Sequence, residues 1–311
     1  MKFAVIGGVG AMGGLFGGRL AAQGIDVTLI DVWQQAVDLV NKEGLRITEK
    51  SGEETRISVK ATTDPSNVGV ADVVIVFVKC YHTEAAVRAA LPLLGPDSAV
   101  LSLQNGWGNA DTIGGIVGNE QVLAGVTYNS ATVLGPGHIQ QAGIGTTIMG
   151  ELDGRDSDRL RQIAATFRQA GLEVQTTDAI LLEIWSKLAL NICTLPTSAL
   201  LRFYAGELIQ HEGTLAMMRA LLQETVAVAQ AKGISLDEEE RWNFITGLLE
   251  RATGAKASML QDVENRRQTE IDVINGAVVR CGQEVGIPTP FNDAMVWMVR
   301  ALEETFTAEA G

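Results

Sequence analysis

Short β-branched runs alternate with helix-like segments through the first half of the chain. The runs are "KFAVIG" from Lys2, "DVTLID" from Asp26, "DVVIVFV" from Asp72, "AVLSLQ" from Ala99 and "QVLAGV" from Gln121, with a helix expected from about Met12 after the first. Strand and helix signals taken in turn predict a parallel, doubly wound sheet. Residues 44 to 64, "GLRITEKSGEETRISVKATTD", show period-two alternation around "KSGEE", which predicts a hairpin inserted into the βαβ order. The segments "GHIQQAG" from Gly137 and "GTTIMGEL" from Gly145 read as further strands extending the same sheet. After "LEVQTTD", residues 172 to 178, strand signals stop and helical periodicity runs to the end. The chain therefore divides near residue 178 into an α/β domain, 1–178, and an all-α domain, 179–311. The second domain carries about five helical segments. One is expected from Ser258 to about Glu284, halted at "GIPTP" by Gly286 and the prolines that follow.

Composition narrows the classes of function. The chain's 311 residues suffice for two domains with a large core. A net charge of −13 argues against nucleic acid or an anionic membrane surface as partner, because both select clustered Lys and Arg. Small soluble ligands fit that balance better. No apolar window approaches the roughly 18 residues of a membrane span, and "MKFAVIGG" runs into glycines too soon for a signal-peptide core. Cys80, Cys193 and Cys281 are odd in number and scattered, which fits a reduced cytoplasm. His82, His138 and His211 fall into no ligand-like cluster with Cys or Asp, so no metal is expected, and "CYH" at 80 to 82 reads as a loop.

Candidate chemistry starts at "GGVGAMGG", directly after the first strand, where Gly8, Gly10 and Gly13 form a G-x-G-x-x-G set. The first glycine permits a tight turn, the second lets backbone approach a pyrophosphate, and the third lets helix pack on strand. The helix N-terminus, at Ala11, Met12 and Gly13, attracts the anion. Alone the motif is weak, but strand, turn and helix surround it in the order that dinucleotide binding requires. Its bland reading is a glycine-rich turn without a ligand. Gly7 lengthens the turn by one residue, so the glycine register can slip by one. Asp31 closes the second strand, placed to accept hydrogen bonds from ribose hydroxyls and to repel a 2'-phosphate. Val32 and Trp33 offer no arginine for such a phosphate, and the next basic side chain is Lys42. NAD(H) is therefore favoured, with NADP(H) as the alternative, and a strand-end turn is the bland reading of Asp31.

Lys79 ends the third major strand, and Gln104, Asn105 and Gly106 end the fourth in "LSLQNGWGN". Both lie at carboxyl ends of strands, the edge at which open sheets of this class bind ligands. Lys79 is either turned to cofactor or substrate or simply solvated. Asn105 is either a ligand contact or a turn residue, and Trp107 either packs in the core or lines a pocket. In the helical half, "LLEIWSKLALNICTLPTSALLRF", residues 181 to 203, is apolar enough to be buried, yet it carries Lys187 and Asn191 on one helical face. A buried ammonium is costly unless it is paired or catalytic. Further on, Ser258 stands three residues before Gln261, the spacing of a capping box, and Glu270 follows along the same expected helix. A helix cap and a solvated helix face are the bland readings of Ser258 and Glu270; a ligand contact is the other.

Taken in order, "VIGGVGAMGGLFGGRL", "VKCYHTEAA", "LQNGWGN", "PGHIQQAGIG", "WSKLALN", "SMLQDVENRRQTEIDVINGAVV" and "GIPTP" resemble the ketopantoate reductases, the 2-dehydropantoate 2-reductases, over nearly the whole chain. The resemblance implies a Rossmann domain, a helical substrate domain and an active site in the cleft between them. It further implies an NAD(P)-dependent reductase of a small-molecule 2-oxo acid, ketopantoate by default, with a homodimer as a compatible assembly. Lys187 resembles the lysine that protonates the carbonyl oxygen as hydride reaches the keto carbon. Glu270 resembles the glutamate that pairs with it, Asn191 a substrate-binding asparagine, and Ser258 a serine that binds the substrate carboxylate. Asn105 and Lys79 resemble groups that contact the cofactor and help shape the site.

Two positions depart from that family pattern. Leu195 stands where these enzymes usually show a second asparagine, which removes a polar substrate contact. Asp31 and Val32 replace the usual basic residue at the end of the second strand, although the family is commonly NADP-dependent. Related NAD-dependent D-2-hydroxyacid dehydrogenases reduce bulkier or aromatic 2-oxo acids, and Leu195 and Trp107 would suit such a pocket. A dinucleotide-binding sensor without turnover is the rival from another class, and the joint presence of Lys187, Asn191 and Glu270 speaks against it.

Overall fold

The structure is a computed structural model and describes residues 1–252 and 254–308. These residues fold as two compact units. The first comprises Met1–Gln104 and Asn109–Ile180, and the second comprises Asn105–Gly108 and the chain from Leu181 onward.

The first unit opens with β1 (Lys2–Ile6), α1 (Ala11–Ala22), β2 (Asp26–Ile30) and α2 (Gln34–Glu43), followed by a hairpin of β3 (Leu45–Thr48) and β4 (Glu54–Ile57). It continues through β5 (Lys60–Thr62), β6 (Val73–Val76), α3 (Thr83–Ala89), β7 (Ala99–Ser102), α4 (Asn109–Val117) and β8 (Val122–Thr127). It ends with β9 (Ser130–Gly135), β10 (His138–Gly143), β11 (Thr147–Glu151), α5 (Asp158–Gln169) and β12 (Val174–Thr176). Eight strands form one sheet in the order β12-β11-β8-β7-β6-β1-β2-β5. The six from β8 to β5 are parallel, whereas β11 runs antiparallel to β8 and β12 runs with β11. Every residue of β6, β7 and β8 is buried, as strands covered on both faces require. Side chains alternate accordingly. Phe3 and Val5 enter the core that holds Phe16, Leu29 and Phe167, and Ala4 and Ile6 enter the opposite one with Val74, Val87 and Val100. The strand order reverses between β1 and β6, so their carboxyl ends flank the crevice in which doubly wound sheets bind ligands.

The hairpin is inserted where the pattern predicts, between α2 and β5, but "GHIQQAG" takes a different place from the expected one. β3 and β4 join β9 and β10 in a separate four-stranded sheet, order β4-β3-β10-β9, and only "GTTIMGEL", as β11, extends the main sheet. The cause lies in α1, whose glycines serve two faces. A Cβ at Gly17 would come within 2.4 Å of the Leu29 side chain in the main sheet. Cβ atoms at Gly14 and Gly18 would instead meet Ile139 at 3.3 Å and Ile47 at 2.7 Å, both in the small sheet. The apolar positions of β3 and β10 are thus spent on covering α1, and period-two alternation carries no mark of which sheet a strand will join.

The second unit is helical: α6 (Ile180–Leu201, its first residue still in the first unit), α7 (Glu212–Ala231), α8 (Glu238–Arg251), α9 (Ser258–Glu264), α10 (Asn275–Val285) and α11 (Pro290–Ala308). The single helix expected from Ser258 to about Glu284 is broken into α9, a turn, a 3-10 segment at Ile271–Val273, and α10. Arg266 makes the break by adopting the left-handed region at φ 53, and Arg267 N–H closes back on the Asp262 carbonyl at 2.8 Å. α10 stops where expected, at Gly286, which takes φ 73 as the left-handed cap. The exposed amides at the start of α11 are met from α7, where the Glu224 carboxylate accepts from Phe291 N–H at 2.8 Å and Asn292 N–H at 2.9 Å. Among the described residues no helix is long and apolar enough to cross a membrane.

Candidate active site

In the first unit the chemistry gathers at the turn after β1. Gly7 adopts φ 75, and the N–H groups of Gly7 and Gly8 both donate to the Ile30 carbonyl, at 2.9 and 3.0 Å. The left-handed glycine is therefore Gly7, one position ahead of the motif, and the extra residue is absorbed there. Gly8 and Gly13 are places of close approach. A Cβ on Gly8 would stand 2.6 Å from the Val5 carbonyl oxygen, and one on Gly13 would stand 2.1 Å from that of Gly7. Gly10 is the N-cap of α1 without a side-chain cap, and the first turn holds no acidic residue. The amides of Ala11, Met12 and Gly13 thus open the helix with no intrahelical acceptor, at the end of the dipole that carries about half a positive charge. Bare amides in a cradle that a Cβ would fill fit the pyrophosphate of a dinucleotide.

Asp31 faces this turn. One carboxylate oxygen accepts from Val9 N–H at 3.3 Å and the other from Trp33 N–H at 3.2 Å. It is thus a strand-end turn residue, and each oxygen keeps capacity for a further donor. Val32 beside it is 94% exposed. Lys79 caps the 3-10 turn Cys80–His82 beyond β6, so "CYH" is a single helical turn and not an open loop. Gln104 is committed to structure, its amide donating to the Val78 carbonyl and the Thr83 hydroxyl, each at 2.7 Å.

The second constellation lies within the other unit, around α6. Lys187, Asn191 and Leu195 follow one another at four-residue intervals on one face of the helix. Lys187 Nζ donates to Asn105 Oδ1 at 2.8 Å. Asn105 sits in the turn after β7, where Gly106 has φ 90 and a Cβ would fall 2.5 Å from the Val273 carbonyl oxygen. Trp107 N–H donates to that same carbonyl at 2.8 Å. Val273 ends the 3-10 segment for which Glu270 is the N-cap. On its other side Trp107 packs against Trp185, with ring centroids 5.4 Å apart and a tilt of 54°.

Charge and burial make this group unusual. Burial lowers the Lys187 ammonium from its ordinary value near 10.5 to about 8, and the Glu270 carboxylate pulls in the opposite direction. Lys187 as a residue keeps some accessible surface, but the enclosure of its ammonium is what governs the proton. Glu270, Asn191 and Leu195 are all buried. Asn191 Nδ2 is enclosed with no hydrogen-bond partner among the described residues, and a buried donor left open in this way suits a ligand oxygen. Ser258 does not form the capping box its spacing predicts: Ala257 is the N-cap of α9, and the Gln261 amide donates to the Lys256 carbonyl at 3.1 Å. The Ser258 hydroxyl, half-buried in the first turn of α9, is left out of that cap.

Comparison with known proteins decides the family. The description "Ketopantoate reductase PanE/ApbA" matches residues 4–154, and "Ketopantoate reductase PanE/ApbA C terminal" matches residues 179–303. The chain belongs to the ketopantoate reductase family. A 2-dehydropantoate 2-reductase of Streptococcus pyogenes serotype M6 is 33% identical over 299 residues, covering 96% of this chain and 97% of that relative. The 2-dehydropantoate 2-reductase of Archaeoglobus fulgidus is 33% identical over 297 residues, covering 95% and 96%. A solved PanE/ApbA family ketopantoate reductase from Ralstonia eutropha is 35% identical with a TM-score of 0.90, covering 99% of this chain and 100% of its own. D-mandelate dehydrogenase, solved as a ternary structure with NADH and anilino(oxo)acetate, is 29% identical with a TM-score of 0.92, covering 98% and 99%. Like other ketopantoate reductases, the chain is an oxidoreductase of the CH–OH class that works with a nicotinamide dinucleotide.

Within this ketopantoate reductase family member, Lys187 and Asn105 meet directly, Glu270 acts on Lys187 through its charge, and Asn191 shares the lysine's helical face. Among the described residues no hydrogen bond joins Ser258 to them. Gly7 takes the slip in register that its surplus position allows. Two participants were given no role in the sequence: Trp185 and Val273 stand inside "WSKLALN" and "SMLQDVENRRQTEIDVINGAVV", but the parts played by the Trp185 ring and the Val273 carbonyl depend on which turn packs against them.

Proposed function

We propose that this chain is an NAD-dependent 2-oxo acid reductase with Lys187 as the general acid and ketopantoate as the default substrate. The observation that carries the reading is the buried Lys187 ammonium, hydrogen-bonded to Asn105 and held up toward its charged form by Glu270. A bound nicotinamide dinucleotide supplies the hydride. Lys187 gives a proton from Nζ to the substrate's carbonyl oxygen as negative charge grows there, and the ammonium stabilises that charge until transfer is complete. Asn105 Oδ1 takes one of the three N–H bonds of Nζ, which orients the other two. Asn191 Nδ2 donates to a substrate oxygen, and the Ser258 hydroxyl binds the substrate carboxylate.

Gly8, Gly10 and Gly13, with the amides of Ala11 and Met12, hold the pyrophosphate. Asp31 accepts from the ribose hydroxyls and repels a 2'-phosphate, which favours NAD(H) over NADP(H), while Lys79 and Asn105 contact the cofactor. In this reading residues 1–178 form the dinucleotide-binding domain and residues 179–311 the substrate domain. The odd number and the scatter of Cys80, Cys193 and Cys281 support a cytoplasmic setting, and a homodimer is the assembly expected.

A second reading keeps the chemistry and changes the substrate. Leu195, 8% exposed and one turn beyond Asn191 on the Lys187 face, offers apolar surface in place of a polar contact. With the likeness to D-mandelate dehydrogenase, this supports a D-2-hydroxyacid dehydrogenase for bulkier or aromatic 2-oxo acids. Initial rates of NADH and NADPH oxidation with ketopantoate, beside a panel of aliphatic and aromatic 2-oxo acids, separate the two. Fast turnover of ketopantoate is expected under the first reading and a better aromatic substrate under the second. Lys187→Ala is expected to abolish turnover while NADH binding survives; unchanged turnover refutes the mechanism.

A further inference from the structure

We propose that Trp107 and Trp185 are positioning residues for the proton donor: their ring contact holds the Asn105 turn in register with α6, so that Asn105 Oδ1 meets the Lys187 ammonium. The proposal rests on the reading of Lys187 as the general acid.

Besides the bond to Lys187, the turn Asn105–Gly106–Trp107 is attached through its backbone and through the Trp107 ring. Its backbone is fixed to the Glu270 segment, through Trp107 N–H and the Val273 carbonyl at 2.8 Å and through Gly106, whose missing side chain lets it lie against Val273. The Trp107 ring fixes it to α6 by packing on Trp185, two residues before Lys187 and fully buried. The ring contact holds the turn to α6 at a second point, away from Val273, and so resists a pivot about the Val273 bond. A displacement of Asn105 by about 1 Å would stretch its bond to Lys187 beyond hydrogen-bonding range.

Trp185 itself supplies the second argument. Its indole N–H is buried without a partner among the described residues, an arrangement that costs stability and that phenylalanine or leucine would avoid. The site therefore uses the reach of the indole, and not its hydrogen bond, and what that reach meets is the ring of Trp107. Because Trp185 has no exposed surface, its effect on turnover separates positioning from contact with substrate.

The experiment compares Trp107→Ala, Trp107→Phe, Trp185→Leu and Trp185→Phe with Lys187→Ala, using the best 2-oxo acid of the panel. It reads kcat, KM, the pH dependence of kcat/KM and NADH affinity by calorimetry. Trp107→Ala and Trp185→Leu are expected to lower kcat about ten- to a hundredfold with NADH affinity retained. Both should move the basic limb of the pH profile to lower pH, because the charged form of Lys187 loses an acceptor. Trp107→Phe should recover most of the lost rate. If Trp185→Leu does not fold, Trp185→Phe keeps the core filled with a shorter ring, and a limb displaced in the same direction is expected. A rise in KM alone with the limb unmoved for Trp107→Ala, or an unmoved limb in both Trp185 variants, overturns the proposal. Retained turnover in Lys187→Ala instead removes the assignment of the acid, whereas an inactive Lys187→Ala beside unshifted tryptophan variants removes only the positioning.

Discussion

If burial sets Lys187 near 8, reduction should fade over a pH range in which an ordinary lysine would stay charged. With the ammonium as the proposed acid, the rate follows its protonated fraction. With a value of about 8, that fraction is about nine tenths at pH 7 and about one tenth at pH 9, so kcat/KM for the 2-oxo acid should fall about tenfold between them. A solvent-exposed lysine near 10.5 would lose only a few per cent over the same interval. The reverse reaction needs the neutral amine as base, so oxidation of the 2-hydroxy acid should climb about tenfold as reduction falls. The assay is NADH consumption in one direction and NADH formation in the other, at saturating cofactor across pH 6 to 10, with NADH binding measured at each end. A reduction profile flat to pH 9.5, with cofactor binding intact, would remove Lys187 as a buried acid and with it the role given to its enclosure.

Three further outcomes follow from named contacts. Glu270 is the group that raises Lys187, so Glu270→Gln should move the basic limb to lower pH and reduce kcat/KM more at pH 8 than at pH 6; an equal loss at both would make Glu270 a substrate or packing residue. Asp31→Asn combined with Val32→Arg should lower the ratio of NADH to NADPH efficiency at least about tenfold, since one repulsive charge is lost and one phosphate-binding group gained; an unchanged ratio would confine Asp31 to its bonds with Val9 and Trp33. Gly13→Ala places a Cβ 2.1 Å from a backbone oxygen that no rotamer change can move. Calorimetry should show loss of NADH binding and denaturant unfolding a loss of about 2 kcal/mol or more, whereas normal values for both would show that the turn opens freely.

The parallel strands, the glycine turn and the change to helices at Ile180 are all legible in the sequence, because each is written in local periodicity or in residues with one conformational use. What escaped is non-local. The alternation in β3 and β10 marks strands but not the sheet they join, which is decided by the glycine faces of α1. The long helix expected after Ser258 fails at Arg266, an ordinary helix former forced to φ 53 by the turn it closes. The same break makes Glu270 the cap of a 3-10 turn, and Ser258 is the first residue of α9 because Ala257 takes the cap position. At the site, Lys187 and Asn191 announce themselves as polar residues in an apolar helix. The bond from Lys187 to Asn105 crosses 82 positions and has no trace in spacing.

Asn105–Gly108 folds with the helices, although the chain does not return to them until Leu181. A crossover between related genes at the obvious seam near residue 178 would therefore hand the lysine of one parent the asparagine of the other. Hybrids that exchange only the C-terminal half inherit the lysine without its own acceptor, and the loop after β7 has to travel with that half for the pair to survive. The two halves are separate in sequence but not in heredity.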